Sequence, residues 1–382
     1  MSEYVETQDD LEALVALLTG SKVLCIDTEF LREKTYYAKL CLVQVNNGEA
    51  DAIIDPLHLD LRPFGRLLAD PSTVKVFHSG SQDIAILLHE AGVAPRPVFD
   101  TQTAAALLGH PLQVGLAALV RSMCQVQLEK ADSFTDWTRR PLTKNQLRYA
   151  LDDVRYLPEI YELMVGELEA RGRLSWLDDE FEEMSDPARY EVDPREMWRK
   201  VKRTSSLSRR QLAVVRELAS WREQQARLRD IPRKWVMADE ALVEVARKAP
   251  RTKRRLLEVR GLAEKLSARD VDQVLEAVRL GGQTPDAQLP RCERHERGDK
   301  AFAGAVDLMA ALVDVRAAES GVASAVLATH DDLLRLARGH REDSPLLKGW
   351  RAEIVGRDLQ ALLDGELSMH LDGGAIKVER RR

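Results

Sequence analysis

Apolar residues in the first 170 positions follow two patterns, one typical of strands and one typical of helices. Four short apolar runs have the length of buried strands, at 22–27, 40–45, 50–55 and 74–77. The sequence Asn46-Asn47-Gly48 separates the second run from the third and favours a hairpin turn, because Asn and Gly tolerate positive φ. A helix is expected after the fourth run, from Ser81 to about Glu90. Three meandering strands followed by alternating strand and helix predict a mixed sheet flanked by helices.

The apolar spacing after residue 171 is almost entirely helical. Residues 178–193 are strongly acidic, whereas residues 195–260 contain 20 Lys and Arg against 8 Asp and Glu. A polar segment with Gly and Pro, 281–298, predicts a linker before a second helical block that runs nearly to the end. The two blocks are faintly similar, because 236–247 resembles 326–338 with one insertion, which indicates a weak internal duplication.

The overall charge does not exclude a nucleic-acid partner, because it is unevenly distributed. The chain has 56 Lys and Arg, 62 Asp and Glu and a net charge of −6, yet its basic residues are concentrated in 195–260. The N-terminus carries acids where a signal peptide needs basic residues, and no apolar run reaches the ~18 residues of a membrane span. We therefore expect a soluble, cytoplasmic protein with reduced thiols. The cysteines, which show no CxxC spacing, are Cys25, Cys41, Cys124 and Cys292.

Five oxygen-bearing side chains form the candidate chemistry. Asp27 and Glu29 lie where the first predicted strand ends and point to the same side of the sheet, because they are two residues apart. Asp83 lies just inside a predicted helix, where the dipole favours an anion. Tyr149 and Asp153 are four residues apart and share one face of a predicted helix. A bound divalent cation is the usual way to keep neighbouring carboxylates ionised, and oxygen ligands suit Mg²⁺ or Mn²⁺. A carboxylate cluster of this kind can hold two such ions roughly 3.5–4 Å apart.

Each of these features alone also has a structural explanation. Two acids at a strand end more often lie on a solvated edge of the sheet than in a metal site. Asp83 alone is most simply a helix-capping acid, and Tyr149 alone is a core aromatic residue. Their combination and order, however, closely resemble the DEDDy 3′–5′ exonucleases. The run 134–153 (FTDWTRRPLTKNQLRYALDD) narrows the resemblance to the ribonuclease D family, and the basic helical blocks resemble HRDC domains.

This resemblance implies an RNase H-like (DnaQ-like) α/β exonuclease fold followed by one or two all-α HRDC domains. Two divalent ions, Mg²⁺ or Mn²⁺, would be bound by Asp27, Glu29, Asp83 and Asp153. Tyr149 would orient the attacking water, since an ordinary phenol with a pKa near ~10 is a poor base at neutral pH. Asp152 competes with Asp153 for the fourth ligand position, although the YxxxD spacing favours Asp153.

The predicted domain boundaries follow from the same resemblance. We expect the exonuclease domain first, then a linker, a first HRDC domain, a second linker and a degenerate HRDC-like domain. These occupy 1–170, 171–206, 207–282, 283–298 and 299–382. A kink is expected at Pro158, within a long helix over 144–168.

Several other residues are candidates for contact with nucleic acid. Phe30 can stack on a terminal base or pack in the core, and His78 can approach the substrate or be structural. The basic run Lys253-Arg254-Arg255 is by default a solvated surface, but the local positive charge favours phosphate contact. The tryptophans of the basic region are expected to be core anchors more often than stacking platforms; they are Trp198, Trp221 and Trp235. Asp100 is interpreted as a helix cap.

The function expected from these observations is a metal-dependent 3′–5′ exoribonuclease that releases nucleoside 5′-monophosphates. Precursor tRNA 3′ ends are the substrate that the family resemblance implies. A monomer is favoured, without a nucleotide cofactor or a membrane partner. Two alternatives stay open: a DNA-directed exonuclease of the same fold, and a non-catalytic nucleic-acid-binding scaffold.

Overall fold

The computed structural model describes residues 4–129, 135–291 and 299–381 of the chain. Phe134, Cys292 and the predicted linker residues 293–298 lie outside these ranges. Contacts divide the chain into two compact units. Unit 1 comprises the described residues of Met1–Glu29, Leu40–Arg189 and Arg297–Arg382, and unit 2 those of Phe30–Lys39 and Tyr190–Glu296.

Unit 1 is built on a six-stranded sheet. Its strands are β1 (Tyr4–Val5), β2 (Val23–Leu31), β3 (Lys39–Asn46), β4 (Asp51–Ile54), β5 (Val74–Phe77) and β6 (Val98–Asp100). They are ordered β1-β4-β3-β2-β5-β6. The predicted hairpin joins β3 to β4, which pair antiparallel, whereas β1 with β4, β2 with β5 and β5 with β6 are parallel pairs. The predicted mixed sheet is therefore confirmed.

Strand β2 is longer than the sequence indicated. We expected it to end at Asp27, but it continues to Leu31, so that Asp27 and Glu29 lie within the strand. Asp and, to a lesser degree, Glu are depleted in strands, which explains the early predicted end. In the sheet, β2 lies between β3 and β5, of which β5 pairs with Val23–Cys25, and pairing within the sheet outweighs those local preferences.

Helices α1 to α8 accompany this sheet. They are α1 (Gln8–Leu18), α2 (Gly65–Ala69), α3 (Ser81–Ala91), α4 (Thr101–Leu107), α5 (Leu116–Met123), α6 (Lys144–Arg155), α7 (Leu157–Ala170) and α8 (Asp178–Ser185). The single kinked helix expected over 144–168 is two helices, α6 and α7. Pro158 lies in the first turn of α7, where its missing N–H costs no hydrogen bond.

Unit 2 is a helical bundle around one buried cluster. Its helices are α9 (Arg209–Arg229), α10 (Arg233–Val236), α11 (Asp239–Lys248), α12 (Lys253–Leu257) and α13 (Ala268–Gly282). Trp198 and Trp221 are core residues, 5% and 6% exposed, whereas Trp235 is 46% exposed. The indole of Trp221 also donates a 2.9 Å hydrogen bond to Gln273. Two of the three tryptophans are thus structural anchors.

Gly281 and Gly282 were expected to open a linker but are the last two residues of α13. At Gly281, the helical state and the absence of a side chain have a steric reason. A Cβ built there would lie 2.4 Å from the Cα and 2.7 Å from the backbone nitrogen of Val214 on α9. Gly281 therefore permits the close packing of α13 on α9, whereas a Cβ at Gly282 would meet nothing within 4 Å.

The last part of the chain returns to unit 1. Its helices are α14 (Asp299–Ser320), α15 (Ser324–Leu327), α16 (His330–Ala337), α17 (Gly349–Arg351) and α18 (Arg357–Leu363), with a π-helical turn at Ala352–Gly356. The expected helical block therefore ends at Leu363. The chain then forms an antiparallel hairpin of β7 (Leu367–Asp372) and β8 (Ala375–Arg380), turning at Gly373-Gly374, where φ is +57° and +88°.

One buried cluster connects the two halves of unit 1. Cys25 and Val76 of the sheet belong to the same cluster as Leu312, Leu359 and Leu367 from the last part of the chain. The sheet and the final helices therefore share a hydrophobic core. None of the helices in the described part of the chain combines the length and apolarity needed to cross a bilayer.

The two adjacent glycines of α13 provide a matched test of the packing. Gly281→Ala should lower the free energy of unfolding by about 1–3 kcal/mol, because the added methyl group meets backbone of α9. Gly282→Ala should be neutral or stabilising by up to ~1 kcal/mol, because Ala has the higher helix propensity. Urea unfolding of both variants measures the difference. Equal stabilities would contradict the close α9–α13 packing.

Candidate active site

The structure brings three of the predicted acids into direct proximity. Asp27 and Glu29 project from β2, and Asp153 lies on α6. One carboxylate oxygen from each of the three residues lies within 4.8 Å of the other two, which is close enough to share a metal ion. All three donors are carboxylate oxygens, a donor set that fits Mg²⁺ or Mn²⁺ better than zinc.

Asp83 is the fourth acid and lies in the first turn of α3. It is only 8% exposed and accepts a short hydrogen bond from the hydroxyl of Thr28, the residue between Asp27 and Glu29. Burial raises the pKa of Asp83, and the hydrogen bond from Thr28 opposes this shift. Because Asp83 also raises the pKa of Asp27 and Glu29 by repulsion, its charge acts on the same cluster.

Burial and mutual repulsion disfavour the charged forms of the other three acids. Burial, followed by repulsion from Asp83, Asp153 and Glu29, raises the pKa of Asp27 well above its ordinary value. Burial, followed by repulsion from Asp153 and Asp83, raises the pKa of Glu29 to about 8. For Asp153, burial is the largest cause of a pKa of about 7. A bound cation would remove the repulsion and keep the carboxylates ionised.

Tyr149 faces this cluster from α6, one turn before Asp153. A hydrogen bond joins its hydroxyl to Asp153. Burial, and then the charge of Asp153, raises the pKa of Tyr149 above its ordinary value, so its hydroxyl stays protonated at neutral pH. The ring stacks on Trp137, with centroids 6.1 Å apart and planes inclined by 25°. Trp137 was not predicted as a site residue, although it stands in the quoted run 134–153.

Asp152 has a different partner. Its carboxylate accepts a 2.9 Å hydrogen bond from Arg155 on the next turn of α6, and Arg155 also lies 3.4 Å from Asp51. Among the described residues, the group of acids close enough for a shared ion contains Asp153 and not Asp152. This geometry favours Asp153 as the ligand, in agreement with the YxxxD spacing.

The turn that carries Asp83 is held by Asp100, whose predicted role as a helix cap is confirmed. Asp100 accepts hydrogen bonds from the backbone N–H of Gln102 and Thr103, at 2.9 and 3.0 Å, at the start of α4. It also accepts a 2.7 Å bond from the N–H of Gly80, just before α3. One buried carboxylate thus ties two helix starts together and fixes the position of Asp83.

His78 belongs to the same turn and has protein partners on both ring nitrogens. Nδ1 lies 2.9 Å from the hydroxyl of Thr101, and Nε2 lies 3.0 Å from the carbonyl of Val114. Burial lowers the pKa of His78, although Asp100 opposes this shift. These contacts favour the structural interpretation of His78.

Arg140 holds the segment that leads into α6, a role that the local sequence did not indicate. Its guanidinium pairs with Asp55 at the end of β4, with an Nη2–Oδ1 distance of 2.8 Å. The same group donates a 2.9 Å hydrogen bond to the carbonyl of Cys41 on β3. The start of α6 is thereby attached to the sheet, which positions Tyr149 and Asp153.

The remaining candidates for contact with nucleic acid belong to unit 2. Lys253 and Arg254 lie at the start of α12 and pair with acids, at 2.7 Å from Asp272 and 3.9 Å from Glu258. Arg255 lies on the same exposed turn, where its backbone N–H is capped by Thr252. Phe30 directly follows Glu29 on β2 and is partly buried.

Comparisons with known proteins give a consistent result. Residues 2–169 match a family described as a 3′–5′ exonuclease, and residues 211–278 match the HRDC domain. The chain is 39% identical to Ribonuclease D of Granulibacter bethesdensis, covering 98% of this chain and 95% of the relative. It is 36% identical to Ribonuclease D of Bartonella henselae, and the match covers 100% of this chain and 94% of the relative. The crystal structure of Escherichia coli RNase D matches with a TM-score of 0.79 and 32% identity, covering 95% of this chain and 98% of that one.

The raised pKa values predict how the metal-free protein responds to pH. Glu29 binds its proton more tightly in the folded state, with a pKa of about 8 against an ordinary 4.5, so its ionisation destabilises the fold as pH rises. Without metal, Glu29→Gln should therefore raise the Tm relative to wild type by an amount that grows between about pH 5 and pH 8. Thermal melts in EDTA measure this difference.

The matched control for that experiment is Glu49→Gln, at an exposed position of the β3–β4 turn. Glu49→Gln should shift the Tm little, and by a similar amount at about pH 5 and pH 8. Adding Mg²⁺ should stabilise wild type more than Glu29→Gln, because the variant has lost one carboxylate ligand. A Tm difference for Glu29→Gln that is independent of pH would contradict the repulsion described here.

Proposed function

The chain belongs to the ribonuclease D family, and from this premise we propose which residues carry out its exonuclease reaction and on which RNA. The protein is a 3′–5′ exoribonuclease. Its exonuclease domain implies dependence on a divalent metal. The observation that carries the residue assignment is the approach of Asp27, Glu29 and Asp153 to within 4.8 Å, beside Asp83 and Tyr149.

We assign the four acids to two divalent ions. Asp27, Glu29 and Asp153 would share one of them, since their oxygens already converge, and Asp83 would help to hold the second. When bound, such ions supply the Lewis acidity that makes water a nucleophile at neutral pH and neutralises the leaving 3′ oxygen. The protein's own contribution is to hold four carboxylates together on β2, α3 and α6 despite their repulsion.

Tyr149 positions the attacking water in this proposal. Its raised pKa keeps the phenol protonated, so the hydroxyl acts as a hydrogen-bond group and not as the base. The hydrogen bond to Asp153 directs the hydroxyl towards the acids, and the stack on Trp137 restrains the ring. Hydrolysis by water in the 3′–5′ direction then releases nucleoside 5′-monophosphates.

The proposed substrate is the 3′ end of a precursor tRNA. The full-length relatives are named Ribonuclease D, and the Escherichia coli protein is described as an exoribonuclease involved in structured RNA processing. Unit 2 contains the HRDC match and the whole basic region, 195–260, which supports a role in binding the body of a folded RNA. Phe30 and the run 253–255 are the candidate contacts for a terminal base and for phosphates.

The direct test uses a 5′-labelled tRNA with a short 3′ extension, incubated with Mg²⁺, Mn²⁺ or EDTA. We expect stepwise shortening from the 3′ end, 5′-monophosphate products and no reaction in EDTA. A DNA oligonucleotide matched to the extension separates the RNA-directed enzyme from a DNA-directed one. Preference for DNA would overturn the substrate proposal, and degradation in EDTA would overturn the metal assignment.

Adjacent acids on α6 allow a matched test of the ligand assignment. Asp153→Asn should reduce turnover by more than about a hundredfold, because loss of residues that merely support metal ligands already costs 10–100-fold. Asp152→Asn should keep activity within about tenfold of wild type, since Asp152 is paired with Arg155. Turnover in saturating Mg²⁺ gives the comparison. A larger loss of turnover in Asp152→Asn than in Asp153→Asn would show that Asp152 is the ligand.

Tyr149→Phe tests the water-positioning role. The variant keeps the ring on Trp137 and removes only the hydroxyl. We expect single-turnover rates at saturating RNA to fall roughly 10–100-fold, with an RNA Kd that changes much less. Trp137→Phe serves as the companion variant and should have a smaller effect in the same direction. An unchanged rate for Tyr149→Phe would show that the hydroxyl has no catalytic role.

A further inference from the structure

The C-terminal end of α4 lies in direct contact with the last part of the chain. The N–H of Ala323, just before α15, donates a 3.0 Å hydrogen bond to the carbonyl of Ala106. The glycines that follow α4 and α14 also come close together, because a Cβ built on Gly109 would lie 3.1 Å from the carbonyl oxygen of Gly321. All four residues belong to unit 1. The end of α4 is therefore packed against the final helices within a single compact unit.

Arg173 joins the ends of two helices at this contact. Its Nη1 donates a 2.8 Å hydrogen bond to the carbonyl of Leu107, the last residue of α4. Its Nη2 donates a short hydrogen bond to the carbonyl of Ser320, the last residue of α14. The last carbonyls of a helix have no partner within the helix and carry partial negative charge, so one cation between two helix ends stabilises both. The guanidinium carbon also lies 5.3 Å from the ring centroid of Trp176, which stacks on Trp350 with centroids 4.8 Å apart.

The opposite end of α4 holds the turn that leads to Asp83. The hydroxyl of Thr101, the first residue of α4, donates a 3.0 Å hydrogen bond to the last carbonyl of β5 and lies 2.9 Å from Nδ1 of His78. Asp100, the cap of α4, accepts the 2.7 Å hydrogen bond from the N–H of Gly80. Three hydrogen bonds therefore attach the start of α4 to the turn directly before α3.

Helix α4 is short and buried, so it connects these two sets of contacts closely. Its seven residues span about 10 Å. Ala104, Ala105 and Ala106 are completely buried. Closely packed interiors have low compressibility and transmit displacements, so a shift at the C-terminal end of α4 reaches its N-terminal end.

We propose that Arg173 is a positioning residue that acts through α4 to hold Asp83 where it helps to bind the second ion. This inference rests on the proposed function and gives the last part of the chain a role in bond cleavage that requires no contact with RNA. An RNA-binding role would alter the affinity for RNA. A displaced Asp83 instead alters the Mg²⁺ requirement and the cleavage rate, because groups that support metal ligands typically contribute 10–100-fold to metal affinity or activity.

The first pair of variants removes one of two neighbouring guanidinium groups. Arg173→Ala deletes the group that bridges α4 and α14. Arg171→Ala is the matched control, because Arg171 is exposed and pairs with Glu167 on its own helix, α7.

The second pair places proline at two adjacent positions. Ala323→Pro removes the N–H that bonds to Ala106, while the φ of −61° at this residue suits proline. Ser324→Pro is its control, because Ser324 is the first residue of α15, where proline is favoured and a missing N–H costs no helical hydrogen bond. The two pairs disturb the same contact from different sides.

The substrate for all four variants is a short single-stranded RNA, and Mg²⁺ is titrated at saturating RNA. We expect Arg173→Ala and Ala323→Pro to raise the Mg²⁺ concentration for half-maximal single-turnover rate roughly tenfold. The rate at saturating Mg²⁺ should fall on the order of tenfold, with an RNA Kd within about threefold of wild type. Arg171→Ala and Ser324→Pro should stay close to wild type in all three quantities. An unchanged Mg²⁺ requirement in the folded variants, or a change in RNA Kd alone, would overturn the proposal.

Hydrogen exchange provides a readout that does not depend on activity. The N–H groups of Gly80, Gln102 and Thr103 all donate to Asp100, so their exchange reports whether α4 still holds the turn. In metal-free Arg173→Ala these three amides should exchange faster than in Arg171→Ala, while the amides of α1, in the same unit, should change little. Unchanged exchange at Gly80, or an equal increase throughout α1, would overturn the positioning role even if turnover falls. If wild type fails to degrade RNA, the proposed function fails, and the exchange at Gly80 still decides whether Arg173 holds the turn.

Discussion

Repulsion between buried carboxylates is the constraint around which the nuclease half of this protein is organised. Asp27, Glu29, Asp83 and Asp153 all have raised pKa values, with burial as the largest cause. The fold must hold these groups in an arrangement that they would oppose once ionised. A divalent cation turns this repulsion into a binding site, so the stability of the site and its metal affinity have the same origin.

Each element that carries a proposed catalytic residue is held in place by a neighbouring side chain. Asp100 secures the turn before Asp83, Trp137 restrains the ring of Tyr149, and Arg140 attaches the segment before α6 to the sheet. Since these supports use buried hydrogen bonds, charge pairs and stacking, they restrict rotation as well as position. The acids can therefore stay close together before any ion binds.

The sequence indicated the candidate metal ligands and Tyr149 but not the side chains that hold them, and the reason is the range of the interactions. Asp27 with Glu29 and Tyr149 with Asp153 are local pairs, whose spacing within one strand or one helix reveals a shared side. The contacts Gly80–Asp100 and Arg140–Asp55 join residues that are 20 and 85 positions apart along the chain. The extension of β2 and the helical state of Gly281 were missed for the same reason, because neighbouring elements impose them.

The shared core of unit 1 also imposes an order on folding during synthesis. Leu312 and Leu359 are fully buried in the cluster that contains Cys25 and Val76, so the sheet stays incompletely covered until those late residues have left the ribosome. Unit 2 draws the bulk of its buried cluster from 197–278, and that sequence emerges earlier. Domains generally fold as units as the chain appears, so the inserted bundle can close first. A chain interrupted before residue 359 contains every acid of the nuclease site but lacks part of the interior that holds them in place.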